Sequence, residues 1–322
     1  MKEKFGMTKV FIDGSAGTTG LRIYERLSER SDIQLIKLSE ELRKDTNARA
    51  QALNDADIAF LCLPDAAAIE AVSLVNNSNT AIIDTSTAHR TSEGWTYGFP
   101  ELCDSYDVIK KSKRIANPGC HASGFVALIK PLVDAGVIAS DKILHCFSIT
   151  GYSGGGKKMI ADYENADRDV LLDAPRQYGI SQNHKHLPEM SKISGLSQMP
   201  LFCPIVAPFY SGMEVTVTLS AKELEIGLHQ NAIEEIREIY KKTYNNNYGL
   251  VKFTEADTEG GFISAGAYSG RDDMEISVSG NNDRIILVSR FDNLGKGASG
   301  SAIQNMNILL GVDEGCGLNI VK

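Results

Sequence analysis

Lys9-Val10-Phe11-Ile12-Asp13-Gly14-Ser15-Ala16-Gly17-Thr18-Thr19-Gly20-Leu21 decides the fold of this chain. A short apolar run, three glycines spaced three apart and apolar residues at helical period through Leu21, Ile23, Tyr24 and Leu27 read as strand, turn and helix. Glycines in such a GxxGxxG turn permit a tight bend and close backbone approach, while the helix start presents N–H groups to an anion. The stretch reads as a dinucleotide cradle formed by Gly14, Ser15, Ala16, Gly17, Thr18 and Thr19. Taken alone, it reads equally as a helix start with permissive glycines.

The next seventy residues favour the cradle. Ile33–Leu38, Ile58–Leu63 and Ala81–Asp84 are further strand-sized apolar runs with helix-length segments between most of them. That alternation predicts a doubly wound, mostly parallel sheet covered on both faces. Downstream, Ile143–Ile149, Pro204–Ala207, Met213–Leu219, Ile276–Ser279 and Arg284–Ser289 are β-rich and more widely spaced, which predicts an α+β second domain on a mostly antiparallel sheet. Two helices belong with it: Ala122–Val133, which Pro131 should kink or end, and Leu228–Tyr240, followed by a turn at Asn245-Asn246-Asn247. The chain closes with glycine-rich Asp292–Gly300 and a helix bearing Ile303, Met306 and Leu310, stopped by Gly311.

At 322 residues, 43% hydrophobic and 23% charged, the chain has enough apolar material for two cores. Its 33 Lys and Arg against 41 Asp and Glu leave a net charge of −8 with no basic block, so no nucleic-acid partner is expected. Val10–Ile12 is too short for a signal peptide and no later run reaches membrane-spanning length, so the expectation is a cytoplasmic protein without a membrane partner. Six cysteines (Cys62, Cys103, Cys120, Cys146, Cys203 and Cys316) show neither a CxxC pair nor metal-like Cys/His spacing. Neither a disulfide framework nor a metal is expected, and each cysteine reads by default as a small buried hydrophobe.

Cys120 stands apart. Asn117-Pro118-Gly119-Cys120 sets it at a helix N-terminus, where backbone N–H groups lower a thiol pKa and bind the oxyanion formed on attack. A nucleophilic thiolate beside a nicotinamide points to aldehyde or acyl-phosphate redox chemistry.

Other segments offer candidates with more than one reading. After the second strand, Ser39 with Arg43 or Lys44 suits a cofactor 2′-phosphate and so favours NADP(H), whereas Glu40 and Glu41 suit a solvated helix start. Leu63 and Pro64 after the third strand and Ser86 after the fourth complete the expected cofactor set. Arg90, also at the carboxyl edge of the sheet, is either a fork-like clamp for phosphate or carboxylate or a surface arginine. Gly151–Lys158 is either an anion nest with Ser153, Gly154 and Lys157, or a flexible loop. His184 and His186 are acid/base candidates; on an extended segment they would point to opposite sides, so only one would reach a site.

Together these residues resemble the N-acetyl-γ-glutamyl-phosphate reductase family, in its shorter-chain form, of the aspartate-semialdehyde dehydrogenase superfamily. The likeness rests on Asp13–Gly20, Ile115–Cys120, His184-Lys185-His186-Leu187-Pro188-Glu189, Pro208–Met213 and Asp292–Asn305, and runs from about Lys9 to Gly311. It implies that Cys120 attacks an acyl phosphate, expelling inorganic phosphate and leaving a thioester that NADPH reduces, with His184 or His186 handling the proton. It implies a Rossmann domain of residues 1–118 and 292–322, a catalytic and oligomerisation domain of residues 119–291, and assembly as a homodimer or homotetramer. Asn293, Leu294 and Gly297 would meet the nicotinamide. Arg90, Asn117, Ser153, Gly154 and Lys157 are the expected substrate ligands. The alternatives are an aspartate-semialdehyde dehydrogenase, a lysine-pathway acyl-phosphate reductase and, more remotely, a non-catalytic NADP-binding regulator.

Overall fold

A computed structural model describes residues 7–102, 105–225, 231–245, 249–255 and 260–321. The chain divides into two compact units. The first takes Met1–Gly98, Asp107–Pro118 and Ala298–Leu318; the second takes Phe99–Tyr106, Gly119–Gly297 and Asn319–Lys322.

The first unit is built on β1 (Thr8–Asp13), β2 (Ile33–Ile36), β3 (Ile58–Leu61), β4 (Ala81–Asp84), β5 (Thr96–Tyr97) and β6 (Arg114–Ala116). They form one sheet in the order β2-β1-β3-β4-β6-β5, with every pairing parallel. β3 and β4 are buried at every position, as unbroken apolar runs must be when both faces of a sheet are covered. The Gly300–Leu310 helix packs against β4 and the Thr18–Ser28 helix, and Gly311 ends it with a φ of 67°. β1 has β2 on one side and β3 on the other, so the strand order reverses there, and open α/β sheets take ligands at such a point.

The second unit carries β7 (His145–Gly151), β8 (Arg176–Gln177), β9 (Leu201–Ala207), β10 (Met213–Ser220), β11 (Val251–Phe253), β12 (Met274–Gly280) and β13 (Arg284–Phe291). Their order is β11-β12-β13-β10-β7-β9-β8; β7–β9 and β11–β12 pair in parallel and the other four pairings are antiparallel. The Cys120–Asp134 helix lies on the face of this sheet made by Val215, Ser289 and Phe291. It lies so close that a Cβ at Gly124 would stand 2.5 Å from Val215. The helix expected to begin at Leu228 is Ala232–Tyr244; residues 226–230, and Asn246 and Asn247 of the expected turn, lie outside the described residues.

Pro131 neither ends nor breaks its helix, which runs on to Asp134. A proline there has no N–H to give the Ala127 carbonyl four residues back. The Tyr244 hydroxyl donates to that carbonyl at 2.7 Å, and the Tyr240 hydroxyl to the Leu128 carbonyl at 2.6 Å. A second helix thus replaces the missing donor. Tyr244→Phe should therefore cost about 1–3 kcal/mol, read from the urea midpoint; an unchanged midpoint would show that the carbonyl is satisfied in another way. Among the described residues no helix is long and apolar enough to cross a membrane.

Candidate active site

In the first unit β1 ends at Asp13 and the chain turns at Gly14, whose φ is 88°; a Cβ there would lie 2.3 Å from the Cys62 carbonyl oxygen. Gly20 is required for contact instead, since its Cβ would stand 2.4 Å from the Gly14 carbonyl oxygen and push the helix off the turn. Gly17 caps the Thr18–Ser28 helix without a side-chain hydrogen bond, and no acid occupies the first turn. The N–H groups of Thr18, Thr19 and Gly20 are thus left to face an anion.

A cavity of about 600 Å³ opens at this point, lined by Gly14, Ser15, Ala16 and Leu63 and by Lys37, Arg43 and Lys44 from the segment after β2. Glu40 also lines it and holds Arg43 at 2.6 Å, while Ser39 is exposed and does not line it. Pro64 caps the Asp65–Ser73 helix. The sequence reading missed Arg49, which reaches the same cavity and donates twice to Asp13 at 3.0 and 3.1 Å. Burial pushes the Asp13 carboxyl up despite that partner. Glycines that exclude side chains, uncapped helix N–H groups and four cationic side chains suit a phosphorylated dinucleotide.

At the end of β4, Asp84 is fully buried and organises the adjoining loop. It accepts from the Ser86 N–H and hydroxyl at 2.9 and 2.7 Å and lies 2.6 Å from His89 Nδ1, while His89 stacks on Trp95. Ser86 is therefore turned toward Asp84. Arg90 is buried, which excludes the surface alternative: its Nε donates to the Asn117 carbonyl at 3.0 Å and Nη2 to the Thr85 carbonyl at 2.9 Å. Asn117 Nδ2 in turn donates to the Ala298 carbonyl. Arg90 and Asn117 are thus brought together, tying the ends of β4 and β6.

The second unit places Cys120 in the first turn of the Cys120–Asp134 helix, with Gly119 as its N-cap. The Gly119 N–H donates to Glu189 Oε1 at 2.8 Å, and the Gly119 carbonyl accepts from both the N–H and the hydroxyl of Ser123. Glu189 is only 2% exposed, and its role was invisible in sequence because 70 residues separate it from Gly119. Cys120 is half-buried, whereas the next nine residues are all buried. A Cβ at Gly297 would come within 3.0 Å of the Cys120 Cβ, so a side chain there would press on Cys120.

Three histidine rings gather at this helix start. His121 is 5.6 Å from His184 and 5.7 Å from His186 between ring centroids, and His184 and His186 are 4.8 Å apart. This corrects the expected extended segment with histidines pointing apart: the backbone turns, and the His186 N–H donates to His184 Nδ1 at 3.1 Å. The side chain closes the turn on itself, as short polar side chains do in Asx turns. His121, whose only sequence signal is its place after Cys120, lies 2.7 Å from Ser148 Oγ through Nδ1 and 2.6 Å from the Tyr178 hydroxyl through Nε2.

Burial lowers His121 to about 3, helped by His184, and lowers His184 to about 4, helped by Lys185. Both imidazoles are neutral in the folded protein near pH 7, while the unfolded chain takes up their protons below about 6.5. Their contribution to folding stability is then full above pH 6.5 and is lost as the pH falls from 6.5 toward 4 for His184 and toward 3 for His121, because the unfolded state binds more protons in that window. Urea unfolding at pH 7.5 and 5 should show a smaller loss for His121→Gln than for the wild type; equal losses would contradict the shift.

Ser153 and Gly154 form a short 3₁₀ turn that runs into the Gly156–Glu164 helix, so the segment is no flexible loop. Lys157 is exposed in that helix's first turn. Asn293 Nδ2 donates to Ser153 Oγ at 3.0 Å and Asn293 Oδ1 accepts the Gly212 N–H, which joins these segments. The Leu294 N–H is held by Asp292 Oδ1 at 2.7 Å.

Two family models match the chain: the semialdehyde dehydrogenase NAD binding domain over residues 9–111 and the semialdehyde dehydrogenase dimerisation domain over residues 120–293. The chain is 43% identical to N-acetyl-gamma-glutamyl-phosphate reductase 2 of Nostoc sp. over 96% of its own length and 99% of that protein's. It is 44% identical to the N-acetyl-gamma-glutamyl-phosphate reductase of Chelativorans sp. over 94% and 98%. Among solved structures it resembles aspartate semialdehyde dehydrogenase II of Vibrio cholerae, with a TM-score of 0.71 at 17% identity, over 95% of this chain and 99% of that one. At that identity the likeness is one of fold.

Proposed function

The chain belongs to the N-acetyl-gamma-glutamyl-phosphate reductase family of the semialdehyde dehydrogenases, and from that membership we propose that it reduces N-acetyl-L-glutamyl 5-phosphate to N-acetyl-L-glutamate 5-semialdehyde with NADPH, releasing phosphate, as a step of arginine biosynthesis. The observation that carries this reading is the Cys120 thiol at a helix start whose next residue, His121, packs against His184 and His186. The Cys120 sulfur attacks the acyl carbon, the bond to the phosphate oxygen breaks, and the helix N–H groups meet the charge that develops on the carbonyl oxygen. NADPH, when bound, supplies the hydride that reduces the resulting thioester. Collapse then breaks the C–S bond, forms the aldehyde and returns the thiolate.

The histidines divide the proton work. His121 is pinned between Ser148 and Tyr178, and His184 Nδ1 accepts a backbone N–H, so a neutral His184 carries its proton on Nε2 and acts as a donor. That leaves His186 to take the thiol proton and give it back. Ser153, Gly154 and Lys157 are the proposed ligands of the phosphate, with Arg90 and Asn117 for the substrate's other oxygens. Ser15, Ala16, Thr18, Thr19, Leu63, Pro64 and Ser86 are assigned to the cofactor, with Asn293, Leu294 and Gly297 toward its nicotinamide. Lys37, Arg43 and Lys44 in the cavity support preference for the 2′-phosphorylated cofactor.

Exposed Phe147, Leu201 and Ile286 share one face of the second unit's sheet, and the match to a dimerisation domain makes that face the proposed homodimer contact. The working compartment is the cytoplasm. The test is the reverse assay with NADP⁺ or NAD⁺, phosphate and each semialdehyde. N-acetyl-glutamate semialdehyde with NADP⁺ should turn over fastest; faster aspartate semialdehyde or equal use of NAD⁺ would overturn the substrate or the cofactor assignment.

A further inference from the structure

Lys296 and Glu101 form a buried ion pair to which the proposed reaction assigns no step. Lys296 Nζ lies 2.7 Å from Glu101 Oε1, with the two side chains 0% and 2% exposed. Glu101 Oε1 also accepts the Leu250 N–H at 2.7 Å, and the ammonium stands 4.8 Å from the centre of the Phe99 ring. Burying two charges costs desolvation that their attraction only roughly repays, so the pair is weak evidence for stability. What it fixes is place, because a carboxylate and an aromatic face together leave the ammonium one position. The backbone at the other end of that side chain approaches Cys120. Lys296 belongs to a π-helical turn, Gly295–Ser299, a rare form that is frequent at functional sites. Within it the Gly297 N–H donates to the Asp292 carbonyl five residues back at 3.0 Å, and the Asp292 carboxylate holds the Leu294 and Gly295 N–H groups at 2.7 and 3.0 Å. Glycine flanks Lys296 on both sides, each at a close approach. A Cβ at Gly295 would collide with the Arg271 carbonyl oxygen, and one at Gly297 would stand 3.0 Å from the Cys120 Cβ. Lys296 is thus the one side chain of Gly295-Lys296-Gly297 that can anchor the turn.

We propose that Lys296 and Glu101 are positioning residues for the reaction: their ion pair holds the Gly297 backbone against Cys120, and that backbone walls one side of the thiol and limits the directions its sulfur can take. A side chain confined to fewer rotamers spends more of its time in the geometry of attack. Misplacing a reacting atom by about 1 Å can cost about 10²-fold in rate, even when the change lies away from the chemistry. The pair acts through Gly297 and touches no reacting atom itself.

This rests on Cys120 being the reactive thiol, and one experiment separates the two. Alkylation of Cys120 by iodoacetamide is followed against pH by mass spectrometry, without substrate or cofactor, and kcat and KM are measured on the same preparations. If all cysteines of the wild type label alike, the nucleophile reading fails. If Cys120 labels selectively, Lys296→Met/Glu101→Gln, which removes both charges and keeps an acceptor for the Leu250 N–H, should lower kcat by about 10–100-fold with KM changed by less than about threefold. The pair is neutral as a whole, so the alkylation midpoint should stay within about 0.3 pH units of the wild type. Glu101→Gln alone leaves an oxygen for both Lys296 and the Leu250 N–H, and its kcat should stay within about threefold of the wild type. Gly297→Ala, which pushes the turn off Cys120 without touching the pair, should reproduce the loss in kcat, and it carries the test if the double variant does not fold. An unchanged kcat in the folded double variant or in Gly297→Ala would overturn the proposal. So would a loss in Glu101→Gln as large as in the double variant, since charge and not place would then be at work.

Discussion

Cys120→Ser lowers turnover by at least about 10³-fold while the affinity for NADPH, read by its fluorescence, changes by less than about twofold. The reason lies in the atom and its place. A serine hydroxyl at a helix start remains protonated at neutral pH, so the geometry survives and the nucleophile does not. Two of the other described thiols, Cys62 and Cys146, are poorly suited to substitute for it. Burial pushes Cys62 up to about 12, leaving on the order of 10⁻⁵ of it as thiolate at pH 7, and burial pushes Cys146 up as well. Cofactor binding is kept because the cradle at Gly14, Gly17 and Gly20 belongs to the first unit and Cys120 to the second. A variant that keeps a tenth of its turnover would remove Cys120 from the reaction as its nucleophile.

His186→Gln lowers kcat by roughly 10²–10⁴-fold with KM little changed, and His184→Gln lowers it less. An acid/base must gain and lose a proton within each cycle. His184 is poorly suited to gaining one: its Nδ1 already accepts the His186 N–H, and burial keeps its pKa at about 4. Protonation there would set two donors against each other. The alkaline and acid limbs of the kcat profile should therefore move in His186→Gln and stay in place in His184→Gln. A larger loss at His184 would reverse the two roles.

Much of the site was legible locally. The glycine turn after β1, the strand alternation and the cysteine after Asn117-Pro118-Gly119 are contiguous signals, because turn geometry and helix starts are set by neighbours in sequence. The histidine pair was legible as chemistry and misjudged as geometry: period-two reasoning assumes an extended backbone, and a side-chain-to-backbone bond inside the motif turned it instead. Pro131 was misjudged for the opposite reason. Its cost is local, whereas the hydroxyl that offsets it comes from Tyr244, 117 residues from the carbonyl it serves. Tyr178 and Ser148 carried no signal of their own and Glu189 none beyond its place in the His184–Glu189 motif, since a buried carboxylate, phenol or hydroxyl gains its role only from the group it meets.

Sequence by itself determined the two kinds of sheet and singled out the glycine turn after β1 and the cysteine at a helix start, since period, turn chemistry and capping act over a few residues. Only the tertiary structure decided which groups gather around His121 at that helix start and in what protonation state. Burial and hydrogen-bond partners set whether an imidazole is neutral and which nitrogen bears its proton, and here those partners reach His121 from β7 and from the segment before His184.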